Sequence, residues 1–152
     1  MAQFTLMSQI TLLKNLKKTY LDPRSTDPTR ELTLTPVSIH TRPGSLDLEK
    51  LQFFLEDDGA EVLNRLILAE QRFGTCLGTL EQRNQSHHDA QQQISATGTV
   101  DRASLQILLD LTNALYVNVD DTIKYHEKQI DALTHYLKKR FPKARPLTIE
   151  YL

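Results

Sequence analysis

Residues 101–140, DRASLQILLDLTNALYVNVDDTIKYHEKQIDALTHYLKKR, decide the fold. Mainly apolar side chains recur along this stretch at alternating spacings of four and three residues, a period of 3.5. That period predicts one long helix with a seam that packs against another helix, as in a coiled coil. Asp101 is a suitable N-cap, and Pro142 stops the helix. The predicted seam comprises Leu105, Leu109, Thr112, Tyr116, Val119, Ile123, His126, Ile130, Leu133 and Leu137.

A second long helix precedes it. Residues 60–94 carry an apolar face at helical spacing and predict a partner helix of similar length. Asp58 is its expected cap, because Glu61 follows at the spacing of a capping box. The stretch SATGTV, residues 95–100, is short enough to join the two helices as an antiparallel hairpin.

Two shorter helices are predicted in the N-terminal half. Residues 4–21 place apolar side chains three and four apart, which indicates an amphipathic helix. We expect Asp22 to end this helix, because the residue before a proline is disfavoured in the α region. Residues 47–56 predict a short helix capped by Asp47, and its expected core face comprises Leu48, Leu51, Phe54 and Leu55.

The connector, residues 22–45, holds four of the six prolines. The alternation of Leu32 and Leu34 permits a short strand, but Pro36 limits it to an edge or an irregular arm. We expect the connector to be extended, to lie over the helices and to bury its aliphatic side chains. The tail after Pro142 alternates apolar residues and is expected to be extended where it is ordered.

Composition bounds the class of protein. The 152 residues suit one helical domain, 1–152. The predicted fold class is all-α, a helical bundle built on a long antiparallel hairpin of residues 60–94 and 102–140, with helices 4–21 and 47–56 and the extended connector. The net charge of −1 gives no global field towards nucleic acid or acidic membranes.

The single cysteine, Cys76, excludes an internal disulfide and a cysteine-based zinc site. We expect it to be a small packing residue. No apolar run approaches the roughly 20 residues that span a bilayer, and no basic residue precedes the apolar start. The expected location is the cytoplasm, with the inner face of a membrane as the alternative.

The start of the last helix is apolar on more than one face, whereas residues 81–93 opposite are polar. One neighbouring helix cannot cover it, so either the N-terminal elements or a second copy of the chain must do so. We favour a homodimer. The predicted interface comprises Leu105, Leu108, Leu109, Leu111 and Leu115.

The string Arg83-Asn84-Gln85-Ser86-His87-His88 is the most suggestive short motif. Its pattern, Arg-Asn-x-x-x-His, resembles the signature of the HEPN domains, which are small all-α bundles, often dimeric, and many of them ribonucleases. The resemblance implies that Arg83, Asn84 and His88 would act on a scissile phosphate at a dimer cleft. The sequence departs from the family in having polar residues between Asn84 and His88. The alternative interpretation is a solvated helix face.

A looser resemblance covers residues 46–88. This segment looks like one found in uncharacterised bacterial helical proteins, where a short helix, an acidic break and an LAEQRF-type stretch precede a coiled-coil hairpin, often beside a membrane helix. The resemblance implies a helical hairpin and brings no activity.

The remaining polar and small residues favour structural roles. No set of His and carboxylate residues has the spacing of a metal site, and no cofactor is expected. In a hairpin centred near Gly98, His126 would lie opposite Glu70, and the two are expected to form a polar pair. Gly74 and Gly78 lie four apart inside a helix, where glycine is unfavourable, and are expected to permit close approach of another element.

The densest positive run, Lys138, Lys139, Arg140, Lys143 and Arg145, either compensates the helix dipole or contacts phosphate or acidic lipid. The favoured function is a non-catalytic helical scaffold that interacts with itself, or with an unidentified protein. A HEPN-like, metal-independent ribonuclease and a peripheral membrane protein are the alternatives. An enzyme is less favoured, because no phosphate loop, nucleophile–base pair, metal set or redox motif is present.

Overall fold

The computed structural model describes residues 1–56 and 59–143, and this part of the chain is helical without a β-strand. The predicted all-α bundle is confirmed. No helix among the described residues is long and apolar enough to cross a membrane. The elements are α1 (Ala2–Leu16), a π-helical turn (Lys17–Leu21), a 3-10 turn (Asp22–Arg24), α2 (Arg30–Thr33), a 3-10 helix (Glu49–Glu56), α3 (Ala60–Thr97) and α4 (Arg102–Arg140).

The long hairpin of α3 and α4 is closed by Gly98. Its φ of 76° is left-handed, and its N–H donates to the carbonyl of Ile94 at 2.8 Å, which ends α3. Asp101 caps α4 as predicted, because its Oδ1 accepts from Ser104 N at 2.8 Å. At the start of α3, the cap predicted at Asp58 lies outside the described residues.

Helix α1 runs antiparallel to α4. Gln3 Nε2 donates to Thr134 Oγ1 at 2.7 Å near one end of α1. Beyond its other end, Tyr116 Oη donates to the carbonyl of Leu21 at 2.7 Å. Between these points α1 packs its apolar side chains into the core, and the closed end of the hairpin extends beyond it.

The first helix ends at Leu21 with Asp22 as its C-cap, as predicted, but the expected departure of Asp22 from the α region is wrong. Asp22 keeps helical torsions, with φ −58° and ψ −39°, and the chain continues into a 3-10 turn that ends at Arg24. Pro23 is tolerated because it is the second residue of that turn, where a proline has no helical N–H bond to lose.

The connector contains a helical turn where a strand was allowed. Residues Arg30–Thr33 form α2, and Asp27 organises the turn before it by accepting from Thr29 N at 2.8 Å and Thr33 Oγ1 at 2.6 Å. Leu34 is buried and Leu32 is exposed. The connector does lie over the helices as expected, with Leu34 in the core.

The buried row of α4 keeps the predicted period of 3.5 residues. At every second position, however, the fully buried residue is the one just before the predicted residue. Its buried row is Leu108, Thr112, Leu115, Val119, Thr122, His126, Gln129, Leu133 and Tyr136, with Ile123 beside it. The predicted Leu105, Leu109, Tyr116, Ile130 and Leu137 are only half buried. The reason is that α4 contacts both α3 and α1, so its apolar stripe is wider than one seam and the fully enclosed row lies between its two neighbours.

The predicted short helix forms as a 3-10 helix, which changes its buried face. Leu51 and Phe54 are buried, whereas Leu48 and Leu55 are exposed, so the prediction was wrong for these two. In a 3-10 helix, side chains three apart share a face, so Leu55 turns away from Leu51. Asp47 Oδ1 accepts from Lys50 N at 3.3 Å before this helix.

Candidate functional site

Arg83 is enclosed in the closed half of the hairpin, with no exposed surface. Its Nε donates to Thr112 Oγ1 at 3.4 Å and its Nη1 to Tyr20 Oη at 3.2 Å. Its Nη2 donates to the backbone carbonyls of Glu31, at 3.0 Å, and of Leu34. Within the described residues no carboxylate forms an ion pair with it, and burial lowers the pKa of its guanidinium. Arg83 therefore binds the main chain of the connector.

Asn84 and His87 hold the same segment. Asn84 Nδ2 donates to the carbonyl of Val37 at 2.8 Å, and Val37 N donates back to Asn84 Oδ1 at 3.4 Å. His87 Nε2 donates to the carbonyl of Leu32 at 3.1 Å, and burial lowers the pKa of the His87 ring. We call Arg83, Asn84 and His87 the connector clamp, because all three bind backbone atoms of the connector.

The sequence contains a signal for the two buried residues of this clamp: the helical spacing already predicts His87 on the apolar face of the helix, and the same spacing extends to Arg83. Eight of the ten buried residues of α3 form two rows with a seven-residue spacing; the rows are Leu66, Phe73, Leu80, His87 and Ala69, Cys76, Arg83, Ala90. Arg83 and His87 therefore occupy positions in rows whose earlier members are apolar side chains. Small Cys76 and Ala90 flank Arg83 in its row, and Thr112 faces it from α4, which leaves room for the long side chain.

The HEPN-like string is divided between the interior and the surface. His88 is exposed, and its Nε2 accepts from Gln92 Nε2 at 2.8 Å. Arg83 is enclosed, so the two do not share a surface within one chain. A phosphate would have to displace the connector before it reached the Arg83 guanidinium.

A second cluster of polar side chains, Gln9, Glu70 and His126, connects α1, α3 and α4. The expected direct pair of His126 and Glu70 is replaced by a chain through Gln9. Gln9 Nε2 donates to Glu70 Oε2 at 2.8 Å, and His126 Nε2 lies 3.0 Å from Gln9 Oε1. His126 Nδ1 lies 3.0 Å from the carbonyl of Thr122, and burial lowers the pKa of its ring.

The small residues of α3 behave differently from one another. Cys76 is buried as expected, with its Sγ 3.2 Å from Thr122 Oγ1, and burial raises the pKa of its thiol. The close approach expected at Gly74 and Gly78 is wrong within one chain. A Cβ built at either glycine meets nothing within 4 Å.

The other face of the hairpin carries an apolar groove of about 600 Å³ between α3 and α4. No residue of α1 or the connector lines it. Ser86 and Ala114 are its smallest side chains, and Ile107 at its edge is 53% exposed. We call this the open-face groove; its lining residues are Gln82, Gln85, Ser86, Ile107, Asp110, Leu111 and Ala114.

The five residues of the predicted interface are divided by the fold. Leu108 and Leu115 are fully buried in a single chain and belong to its core. Leu105, Leu109 and Leu111 are half buried, and of these Leu111 lines the open-face groove. Ile107 is not in the predicted set, although it belongs to the same apolar stretch and is exposed.

The basic run lies at the opposite, open end of the hairpin. Lys138, Lys139 and Arg140 are exposed in the last turn of α4, and Lys143 is exposed just beyond it. Arg145 lies outside the described residues. These side chains are therefore remote from both the connector clamp and the open-face groove.

Within residues 1–56 and 59–143, no group of three or more His, Cys, Asp or Glu residues could hold a metal ion. The closed half of the hairpin offers two features, a clamp that binds the connector and a groove that no other element of the described residues lines. Comparison of the chain with protein-family models, curated proteins and solved structures finds no match.

Proposed function

We propose that this protein is a non-catalytic helical scaffold that acts as a homodimer, with the open-face groove as its interface. The groove is the single observation that carries the proposal. It presents Ile107, Leu111 and Ala114 between two long helices, and neither α1 nor the connector lines it. Ile107 is exposed there beside the half-buried Leu111 and Ala114, and an uncovered groove of this kind is a candidate interaction site.

The distribution of charge supports the same surface. Residues 84–117 form the closed end of the hairpin and contain four charged side chains in 34 positions, Asp89, Asp101, Arg102 and Asp110. Charged residues make up 24% of the whole chain, about twice that share. The centres of protein interfaces are depleted in charge, because desolvated charges are costly unless they are paired.

In this proposal the connector clamp is a structural device. It fixes the connector on one face of the hairpin and uses the donors of Arg83 for main-chain carbonyls. The apolar residues on that face are covered, and the groove on the other face is left for a partner. Arg83 serves no chemical step here, which is why a scaffold is favoured over a ribonuclease.

The proposal is tested by the mass of the protein in solution. We expect sedimentation equilibrium from about 1 to about 100 μM to show a reversible dimer. Ile107→Asp should raise the dissociation constant at least about tenfold, because it places an unpaired charge in the apolar interface. Val117→Asp is the matched control, since Val117 is 58% exposed on the same helix but does not line the groove.

Two results would contradict the proposal. One is a wild-type protein that remains monomeric over the whole concentration range. The other is a dimer that Ile107→Asp and Val117→Asp affect equally, which would place the interface elsewhere. Circular dichroism of both variants checks that they remain folded.

A further inference from the structure

We infer that the cavity between the connector and α3 binds a small apolar carboxylate, which places its carboxylate at Arg42 and its apolar body on Leu77 and Leu80. The cavity holds about 240 Å³ and lies on the side of α3 that the connector covers. It shares no lining residue with the open-face groove. Binding at this cavity is therefore independent of the proposed homodimer.

The connector crosses α3 between two anchor points. At the first, the side-chain amide of Asn84 binds both the N–H and the carbonyl of Val37. At the second, Leu46 N donates to Glu70 Oε2 at 3.3 Å. Between these points, within the described part of the chain, the backbone of residues 38–42 makes no hydrogen bond to a helix. The connector thus spans this stretch of α3 without sealing against it, which leaves the cavity between them.

Two prolines restrict the collapse of this segment onto α3. Pro36 and Pro43 flank residues 38–42, and the ring of each fixes φ at about −65°. A segment that is restricted in this way and anchored at both ends loses little further freedom when a ligand enters, which favours binding.

The inner wall of the cavity is apolar. Leu77 and Leu80 line it from α3 and belong to the core, and Val37 and Ile39 of the connector pack against the same core. An apolar cavity of about 150 Å³ is large enough for a benzene ring. A volume of about 240 Å³ therefore admits a ring or a short chain that also carries a carboxylate.

Arg42 and Glu81 determine the charge of the ligand. Both line the cavity, and their ion pair shows that the guanidinium is placed to hold a carboxylate. Their side chains are 60% and 59% exposed, and an exposed ion pair contributes little to stability, so a ligand carboxylate can replace Glu81. The planar fork of Arg42 matches two carboxylate oxygens and is weakly hydrated. An ammonium ligand at Glu81 would instead have to lose a strong hydration shell.

Titration of the full-length protein with 3-phenylpropanoate at neutral pH tests the site. The methyl NMR signals of Ile39, Leu77 and Leu80 should shift, with a dissociation constant of about 0.1–1 mM for a ligand of this size. The uncharged 3-phenylpropanol has the same apolar body and should bind at least about fivefold more weakly. Inorganic phosphate has no apolar body and should not shift these signals.

Three variants assign the charged contact. Arg42→Gln should raise the dissociation constant of 3-phenylpropanoate at least about fivefold, because it removes the cation. Glu81→Gln should lower it about three- to fivefold, because it removes the carboxylate that competes for Arg42. Arg65→Gln is the matched control, since it breaks another exposed ion pair of α3, with Glu61, away from the cavity. It should leave the dissociation constant within about twofold of the wild-type value.

Several results would overturn this site. One is the absence of methyl shifts at about 10 mM 3-phenylpropanoate, well above the expected dissociation constant. Another is equal binding of the acid and the alcohol. A third is a Glu81→Gln variant that binds the acid more weakly, or a wild-type protein that prefers 2-phenylethylammonium, because either would assign the charged contact to Glu81. The mass of the protein in solution tests the homodimer separately.

Discussion

Arg83 Nη2 lies 3.0 Å from the carbonyl oxygen of Glu31, so a buried cation of α3 is stabilised by main-chain dipoles. Leu34 supplies a second carbonyl to the same nitrogen. Because these acceptors belong to the backbone, the clamp fixes the path of the connector without depending on its side chains. The guanidinium fork suits this role, since it offers five donors in a fixed plane.

Removal of this side chain should destabilise the fold strongly. Arg83→Ala is expected to lower the free energy of unfolding by about 3 kcal/mol, because it leaves buried carbonyl and hydroxyl groups without partners. Arg83→Lys should recover only part of this loss, since a lysine cannot reproduce the fork. His88→Ala, an exposed change five residues away, should stay within about 0.5 kcal/mol. Urea titration measures all three, and similar values for Arg83→Ala and His88→Ala would refute the clamp.

Two leucines of the connector provide a second matched comparison. Leu34 is 1% exposed and packs in the core, whereas Leu32 is 39% exposed. Leu34→Ala should cost about 2–4 kcal/mol of unfolding free energy, because it removes buried apolar atoms and leaves a cavity. Leu32→Ala should cost less than about 0.5 kcal/mol. Equal effects in thermal or urea unfolding would show that the connector is not anchored at Leu34.

The buried histidines should make stability depend on pH. Burial holds the pKa values of His87 and His126 below the ordinary value of 6.5, so protons bind the unfolded chain more readily. Their contribution is complete above pH 6.5 and is lost as the pH falls below it. His87→Gln keeps a donor for Leu32 but cannot titrate, so it should reduce the loss.

Urea unfolding at about pH 8 and about pH 5 measures this slope. Carboxylates with lowered pKa values, Asp27, Asp47 and Asp101, act in a separate window, because their contributions are lost only as the pH falls below their ordinary value of 3.8. Stability that rises between pH 8 and pH 5 would contradict the sign assigned to the histidines.

Two glycines should respond to alanine in opposite directions. Gly98→Ala should lower the free energy of unfolding by about 1 kcal/mol, because an L side chain is strained at a φ of 76°. Gly74→Ala should raise the free energy of unfolding by about 0.5–1 kcal/mol, because alanine loses less conformational entropy than glycine in the middle of a helix. The space around the new Cβ is open, so the methyl group meets no neighbour. A loss of stability at Gly74 would indicate that another chain approaches there. Thermal unfolding of both variants gives the comparison.

Much of the hairpin was predictable from local signals. The period of 3.5, the cap at Asp101 and the left-handed Gly98 are set by residues close in sequence, so α4 begins and ends where predicted. The extension of α3 to Thr97 was less clear, because the polar residues after Leu80 weaken the periodic pattern. Those residues remain helical, since Arg83 and His87 are held by the connector.

The candidate site was harder to predict, because the roles of its residues depend on contacts between segments that are distant in the sequence. Arg83 and His88 belong to the string that resembles the HEPN signature, yet one is enclosed and the other exposed. The side chains of Arg83 and His88 point in different directions because the two residues are five positions apart on one helix. Which of the two faces inward depends on where the connector lies.

The sequence by itself determined the all-α class, the long hairpin and its closed turn, because periodicity, capping and glycine torsions act within a few residues. Only the tertiary structure decided which faces of α4 are covered. Leu108 and Leu115 became core, while Ile107 stayed exposed, because α1 and the connector pack on the same side of the hairpin. That choice depends on the summed packing of segments far apart in the chain, and it is what leaves the open-face groove uncovered by α1 and the connector.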